Sequence, residues 1–227
     1  MVTQQIKILS RLLMFPDVAL RGYIKDMQVI TERSCLLSQK SKDAFTKLAA
    51  MIIEKDLIDL QEHYVSLFDR TPGLSLHLFE HIFGDQQERS QAMLELEQMY
   101  RQHGFKSLNQ ELPDYLPMLL EFLAFQRSSL INDVLADASD VFEILRQRLI
   151  NRNSPYHSIF SCLVDISGVQ PDISAVQAKI LADKGLAPNQ RTIDTTWQEQ
   201  LVTFQSASAL NEFNDNRTPS QQGHRSC

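Results

Sequence analysis

The chain has 227 residues, a formal net charge of −6 and a sequence pI near 5.5, with 43% hydrophobic and 22% charged residues. This is a globular composition with enough length for a real core, and it is too acidic for a phosphate-backbone binder, which needs clustered Lys and Arg. Its three cysteines, Cys35, Cys162 and Cys227, are far apart and form no C-x-x-C pair, which argues against a disulfide framework or a cysteine zinc site and fits a reducing compartment.

Val2, Ile6, Leu9 and Leu13 share one helical face, and that helix must stop before Pro16, since a residue preceding proline avoids the α region. Asp17 to about Arg33 reads as a second helix. Phe45, Leu48, Ala49, Ile52 and Ile53 mark a third, starting near Ser41. Leu57, Leu60, Tyr64, Leu67 and Phe68 mark a fourth, with Asp56 as its cap. Thr71-Pro72-Gly73 signals a turn. The apolar run Leu74 to Phe83 suits either a buried helix or a strand; with no partner strand in view, a helix is expected, ended by Gly84.

Ala92, Met93, Leu96, Met99 and Tyr100 give the next helix, with Gly104 as a left-handed stop. Pro113 and Pro117 predict a tight turn at 113–116 that leads into a helix with Pro117 at its first position. Met118, Leu119, Phe122 and Leu123 face the core there. A single long helix is expected from Leu130 through Val134, Ala138, Phe142 and Leu145 to Leu149. Pro155 opens another with Tyr156, Ile159, Phe160 and Leu163 inward. Asp172 caps a short helix ending at Gly185, and Trp197, Leu201 and Phe204 give a last one.

From Gln205 onward Ser, Asn, Gln, Thr and Pro dominate, too little apolar area to offset ordering entropy. The fold class is therefore all-α: a single-domain bundle of about ten helices over 1–204, with a disordered tail over 205–227. The opening Met1-Val2-Thr3-Gln4-Gln5 carries no secretory pattern, and no run approaches the roughly 18 apolar residues of a membrane span. The expected location is the cytoplasm, without membrane insertion.

The middle of the chain is both apolar and acidic. Glu80, Asp85, Glu88, Glu95, Glu97, Glu111, Asp114 and Glu121 face only Arg89, Arg101 and Lys106. An acidic surface over large apolar side chains suits a basic amphipathic peptide. One motif competes. His77-Leu78-Phe79-Glu80-His81 matches the H-x-x-E-H of inverted zincins, in which a helix would put both histidines on one face and Glu80 beside them as a base. That zinc-hydrolase alternative needs a third ligand, and nothing selects Glu95 or Glu97 for it. The plainer reading is a partly buried helix with two satisfied histidines, no metal, no cofactor and no catalytic residue.

Tyr64-x-x-Leu67-Phe68-Asp69-Arg70, Leu78-Phe79-Glu80-His81-x-x-Gly84, Tyr100-x-x-His103-Gly104 and Glu111-Leu112-Pro113-Asp114-Tyr115-Leu116-Pro117 together resemble the redox-enzyme maturation chaperones of molybdoenzymes. Within that family they are most similar to the assembly chaperone, or delta subunit, of respiratory nitrate reductase. Ser10-Arg11-Leu12-Leu13-x-Phe15-Pro16-Asp17 and the Trp197 helix add to the likeness, which covers roughly residues 6 to 204. The resemblance implies an all-helical, non-catalytic protein. Such a protein binds the basic amphipathic N-terminus of the nitrate reductase catalytic (alpha) subunit within the apo alpha–beta complex. It supports molybdenum-cofactor insertion and delays docking to the membrane subunit. It also brings molybdenum-cofactor biosynthesis proteins into view as partners, and leaves open a chaperone for a different molybdoenzyme of the class. The family commonly carries Pro-Asp-His where this chain has Pro113-Asp114-Tyr115, so an aromatic hydrogen-bonding group remains without a histidine's titration near neutral pH.

On this reading the client helix lies in a groove lined by Tyr64, Leu67, Phe68, Phe79, Met93, Leu96 and Tyr100, with Pro113, Asp114, Tyr115 and Leu116 at one end and His81 nearby. Glu80, Glu88, Glu95, Glu97, Asp114 and Glu121 are expected to meet its Lys and Arg.

Overall fold

The computed structural model describes residues 2–106 and 111–185, with side chains to 181. Ten α-helices lie among the described residues: α1 Val2–Leu13, α2 Val18–Glu32, α3 Gln39–Glu54, α4 Leu57–Tyr64, α5 Gln86–Gln102, α6 Leu116–Leu123, α7 Ser128–Asp137, α8 Ser139–Ile150, α9 His157–Ser167 and α10 Ile173–Gly185. No strand and no helix long and apolar enough to cross a membrane occurs among them. The expected helix at Trp197 and the tail lie outside the described residues.

The all-α expectation holds because apolar residues recur at helical spacing and the ends are capped. Asp17 accepts from Leu20 N, Ser38 from Ser41 N, and Asp85 from both Gln87 N and Glu88 N. Asp56 precedes α4 but makes no capping bond. Gly104 and Gly168 end α5 and α9 with φ of 69°, where a Cβ would be strained.

Three elements differ from the sequence expectation. First, Leu74 to Phe83 is not a helix. It holds two 3-10 turns, Pro72–Leu74 and Leu78–Glu80, joined by extended backbone. Leu74, Leu76 and Leu78 all point inward, the every-second-residue pattern of an extended chain. Second, α4 ends at Tyr64 and passes into a π-helical turn, Val65–Asp69, closed by Arg70 N donating to Val65 O at 3.0 Å. Leu67 and Phe68 still face inward with Tyr64 through this wider turn. Third, the long helix expected at 130–149 breaks at Ala138, where φ −91° and ψ 0° depart from helical values, so α7 and α8 are separate.

One hydrophobic core runs through the bundle. The N-terminal helix α1 packs against α2, α6 and α9, and α9 packs in turn against α3, α7 and α8. Polar bonds inside the core set the register: Ser10 Oγ donates to Pro117 O at 2.7 Å, tying α1 to α6. At the other end α10 crosses α8, with Val176 buried and Asp172 N bonded to Asp140 Oδ1 at 2.9 Å.

Helix α5 is held mainly through its C-terminal half. Tyr100 stacks on Phe122 at 4.8 Å and on Phe105 at 5.3 Å, and His103 meets Phe122 at 5.6 Å. Phe122→Ala is expected to cost about 3–5 kcal/mol and to loosen α5 first. Denaturant midpoints, with hydrogen exchange read helix by helix, check both outcomes.

Candidate functional site

The residues singled out in the sequence gather where the irregular segment 74–83 crosses the head of α6. Two backbone bonds join them: Leu78 N donates to Asp114 O at 3.0 Å, and Leu116 N donates to Leu76 O at 2.8 Å. They flank an antiparallel bridge between His77 and Tyr115. Asp114 is 0% exposed. Its carboxylate accepts from His77 Nδ1 at 3.0 Å and from Phe79 N at 3.1 Å, with the Arg89 guanidinium 4.0 Å away. Arg89 also reaches Glu80 at 3.3 Å. A buried carboxylate is costly unless donors surround it, and here they come from segment 74–83 and from α5. The bond to Asp114 raises the His77 pKa above its usual 6.5, against the lowering effect of burial.

His81 is 6% exposed, and its Nε2 donates to Ser75 O at 2.9 Å. Burial pushes its pKa down to about 4, with Arg148 and Lys179 adding to the effect. It is therefore a neutral ring at pH 7. Lys179 of α10 donates to the His81 carbonyl.

This geometry overturns the helical premise of the H-x-x-E-H reading. His77 lies on extended backbone with φ −86° and ψ 107°, so it does not share a helical face with His81. His77 is committed to Asp114, His81 to Ser75 and Glu80 to Arg89. Among the described residues no three metal-binding side chains converge.

Tyr115 is half-buried at the turn into α6, 5.5 Å from the His77 ring. Its hydroxyl neighbours that of Tyr64, which donates to Leu13 O at 2.6 Å. Burial raises the Tyr115 pKa. On the other side Tyr100 Oη donates to Pro113 O at 2.8 Å, so the turn is clamped at both ends.

The expected groove is filled in this structure. Tyr64, Leu67, Phe68, Phe79, Leu96, Tyr100 and Leu116 all belong to the core, and His81 is buried beside them. Large aromatics in helical phase pack on one another: Tyr64 on Phe68 at 4.9 Å, and Phe68 on Tyr156 at 5.3 Å. Asp114, expected to meet a client's cation, is sealed inside. Met93, Glu97, Pro113 and Tyr115 are half-buried, while Glu80 and Glu121 are exposed.

A family model described as "Nitrate reductase delta subunit" matches residues 36–161, a span that holds the whole Asp114 junction. The chain belongs to that family. It is 34% identical over 200 residues to the nitrate reductase molybdenum cofactor assembly chaperone NarJ of Escherichia coli (strain K12), covering 88% of this chain and 84% of that protein. It is 31% identical over 177 residues to the NarJ of Bacillus subtilis (strain 168), covering 75% of this chain and 94% of that protein. These relatives are named as assembly chaperones, not as catalytic enzymes.

Three exposed apolar residues stand outside the contact set expected from the sequence. Phe15, Val18 and Ile58 are large, apolar and exposed. Each falls outside the helical faces counted from periodicity. Their one sequence signal is position: Phe15 and Val18 flank Pro16-Asp17, where α1 has ended and α2 is only beginning.

Asp114→Ala strands the His77 ring and the Phe79 amide, and should cost about 3–5 kcal/mol; Asp114→Asn, which keeps an acceptor, should lose less. The measurement is the urea midpoint of each variant.

The two histidines give opposite pH trends. His77, with a raised folded pKa, contributes fully below pH 6.5 and loses its contribution as pH rises through the folded value. His81, with a depressed one, contributes fully above pH 6.5, and up to about 3 kcal/mol is lost as pH falls toward 4. His81→Gln keeps a donor for Ser75 O without taking up a proton. Its stability should fall less than wild type between pH 6.5 and 4; an equal fall would reject the assignment.

Proposed function

We propose that this chain is the cytoplasmic assembly chaperone of a respiratory nitrate reductase. It binds the basic amphipathic N-terminal segment of the catalytic subunit in the apo alpha–beta complex. It supports molybdenum-cofactor insertion and delays docking to the membrane subunit until maturation is complete. The observation that carries this reading is the identity to an assembly chaperone across nearly the whole of both chains. The acidity of the middle region supports it: Glu80, Glu88, Glu111 and Glu121 are exposed around the Asp114 junction, against a half-buried Arg89. Such charges steer and orient a basic segment, while apolar contact holds it.

We assign the sequence-derived contact residues two roles, in keeping with their burial. Tyr64, Leu67, Phe68, Phe79, Leu96, Tyr100 and Leu116 form the floor that fixes the surface, and Asp114 with His81 locks that floor. Glu80, Met93, Glu97, Pro113, Tyr115 and Glu121 remain for direct contact. Molybdenum-cofactor biosynthesis proteins are proposed to approach the chaperone–client complex rather than the chaperone alone.

The test is co-purification of the full chain with a nitrate reductase catalytic subunit carrying or lacking its first few dozen residues. Capture by the intact subunit and loss with the shortened one is the expected result. Equal capture of both would overturn the segment, and capture of another molybdoenzyme alone would reassign the client.

A further inference from the structure

We propose that the client's basic amphipathic helix docks on an apolar stripe running from Ile58 and Val18 across Phe15 to Tyr115 and Leu112, on the opposite side of the Tyr115 turn from α5. This rests on the reading above, that the partner is such a segment, and it relocates the contact from the acidic face of α5.

The stripe follows from a chain of contacts. Tyr64 Oη donates to Leu13 O at 2.6 Å, and its ring takes Phe15 edge-on at 5.6 Å. One turn earlier on the same face of α4, Gln61 Nε2 donates to Pro16 O at 2.8 Å. The link between α1 and α2 therefore runs antiparallel along α4. One turn earlier again on α4 is Ile58, and two residues beyond Pro16 is Val18, the first residue of α2. Ile58 to Tyr64 spans about 9 Å of helix. Beyond Tyr64 the neighbouring Tyr115 hydroxyl extends the line, and Leu112, whose carbonyl accepts from Tyr115 N at 3.0 Å, ends it.

These side chains face water on a fixed platform. Val18 is 73% exposed, Ile58 70% and Phe15 49%. Their backbone is pinned by the bonds just named, by Asp17 capping Leu20 N at 2.9 Å and by the Arg11–Asp17 ion pair. A stripe held in place before binding spares the ordering cost that a loose loop would add. Isolated exposed apolar residues need no explanation, but Phe15 and Val18 on one pinned link, with Ile58 on the helix it runs along, mark a contact surface.

Charge selects the occupant. Asp59, Glu62, Asp69 and Glu111 are exposed along the stripe, and Asp69 and Glu111 both act on the Tyr115 hydroxyl. Asp17 is engaged by Arg11; Lys55 and Arg70 stand at the two ends of the α4 segment. The balance is negative around an apolar line, the complement of a helix with one apolar face flanked by Lys and Arg.

The experiment uses the full chain and a synthetic peptide copying the first few dozen residues of the catalytic subunit, with affinity read by fluorescence anisotropy. The double variant V18S/I58S removes apolar surface without adding charge at two exposed positions. It should keep the melting temperature and weaken binding at least tenfold, while the α5 double variant Q98K/Q102K, which adds positive charge to that helix at two exposed positions outside the contacts named above, keeps wild-type affinity. The reverse result, loss with the α5 variant and full binding with V18S/I58S, overturns the stripe and leaves the chaperone reading intact. If V18S/I58S turns a dimer into a monomer in light scattering without changing peptide affinity, a second copy covers the stripe and the proposal also fails. If wild type does not bind the peptide at all, the client reading fails and this proposal falls with it.

Discussion

A single buried carboxylate organises the middle of this protein. Asp114 is reached by the His77 ring and the Phe79 amide, and its own backbone carbonyl accepts from Leu78 N. Segment 74–83 has no helix to satisfy its polar backbone, and the carboxylate replaces part of what a helix would have supplied. Arg89 stands near the same oxygen and brings the first turns of α5 to this junction. Three pieces of chain meet at one charge, and burial makes that charge intolerant of a missing partner.

The structure around that junction is built in two layers. Below lie aromatic clusters, Tyr64–Phe68–Tyr156 on one side and Tyr100–Phe105–Phe122 on the other. Above lie Tyr115, Phe15 and the acidic side chains that reach solvent. The Tyr64 hydroxyl joins the layers, since it bonds to the α1 backbone and neighbours the Tyr115 hydroxyl. A change in the lower layer therefore moves the upper one, and a binding defect caused by a core substitution says little about which residues touch a partner.

Most helices were legible because burial on one face imposes a 3.6-residue period, as with Ile6, Leu9 and Leu13 or Phe45, Leu48 and Ile52. Segment 74–83 was misread because its apolar density masked a period of two: Leu74, Leu76 and Leu78 alternate inward while Ser75 and His77 do not. The break at Ala138 left no trace, since an in-phase alanine serves a continuous helix equally well. The burial of Asp114 was not legible either, because its partners lie 35 and 37 residues away in sequence. The burial of the candidate groove residues was hidden for a related reason. Periodicity finds side chains that face inward, and a core and a groove floor look alike to it. Phe15, Val18 and Ile58 fall out of phase, so periodicity alone did not mark them.

The π-helical turn at Val65–Asp69 gives this region a fixed length as well as a fixed pattern. Leu67 and Phe68 face inward with Tyr64, as the third and fourth residues after it do on a helix. Removing a residue ahead of them would move each one position back, about 100° around the helix axis, and take them off that face. The exposed position Ser66 is thus open to replacement but closed to deletion. Insertions and deletions accumulated by this lineage should bypass the stretch even where its surface letters drift, so its spacing would be a steadier mark of descent than its spelling.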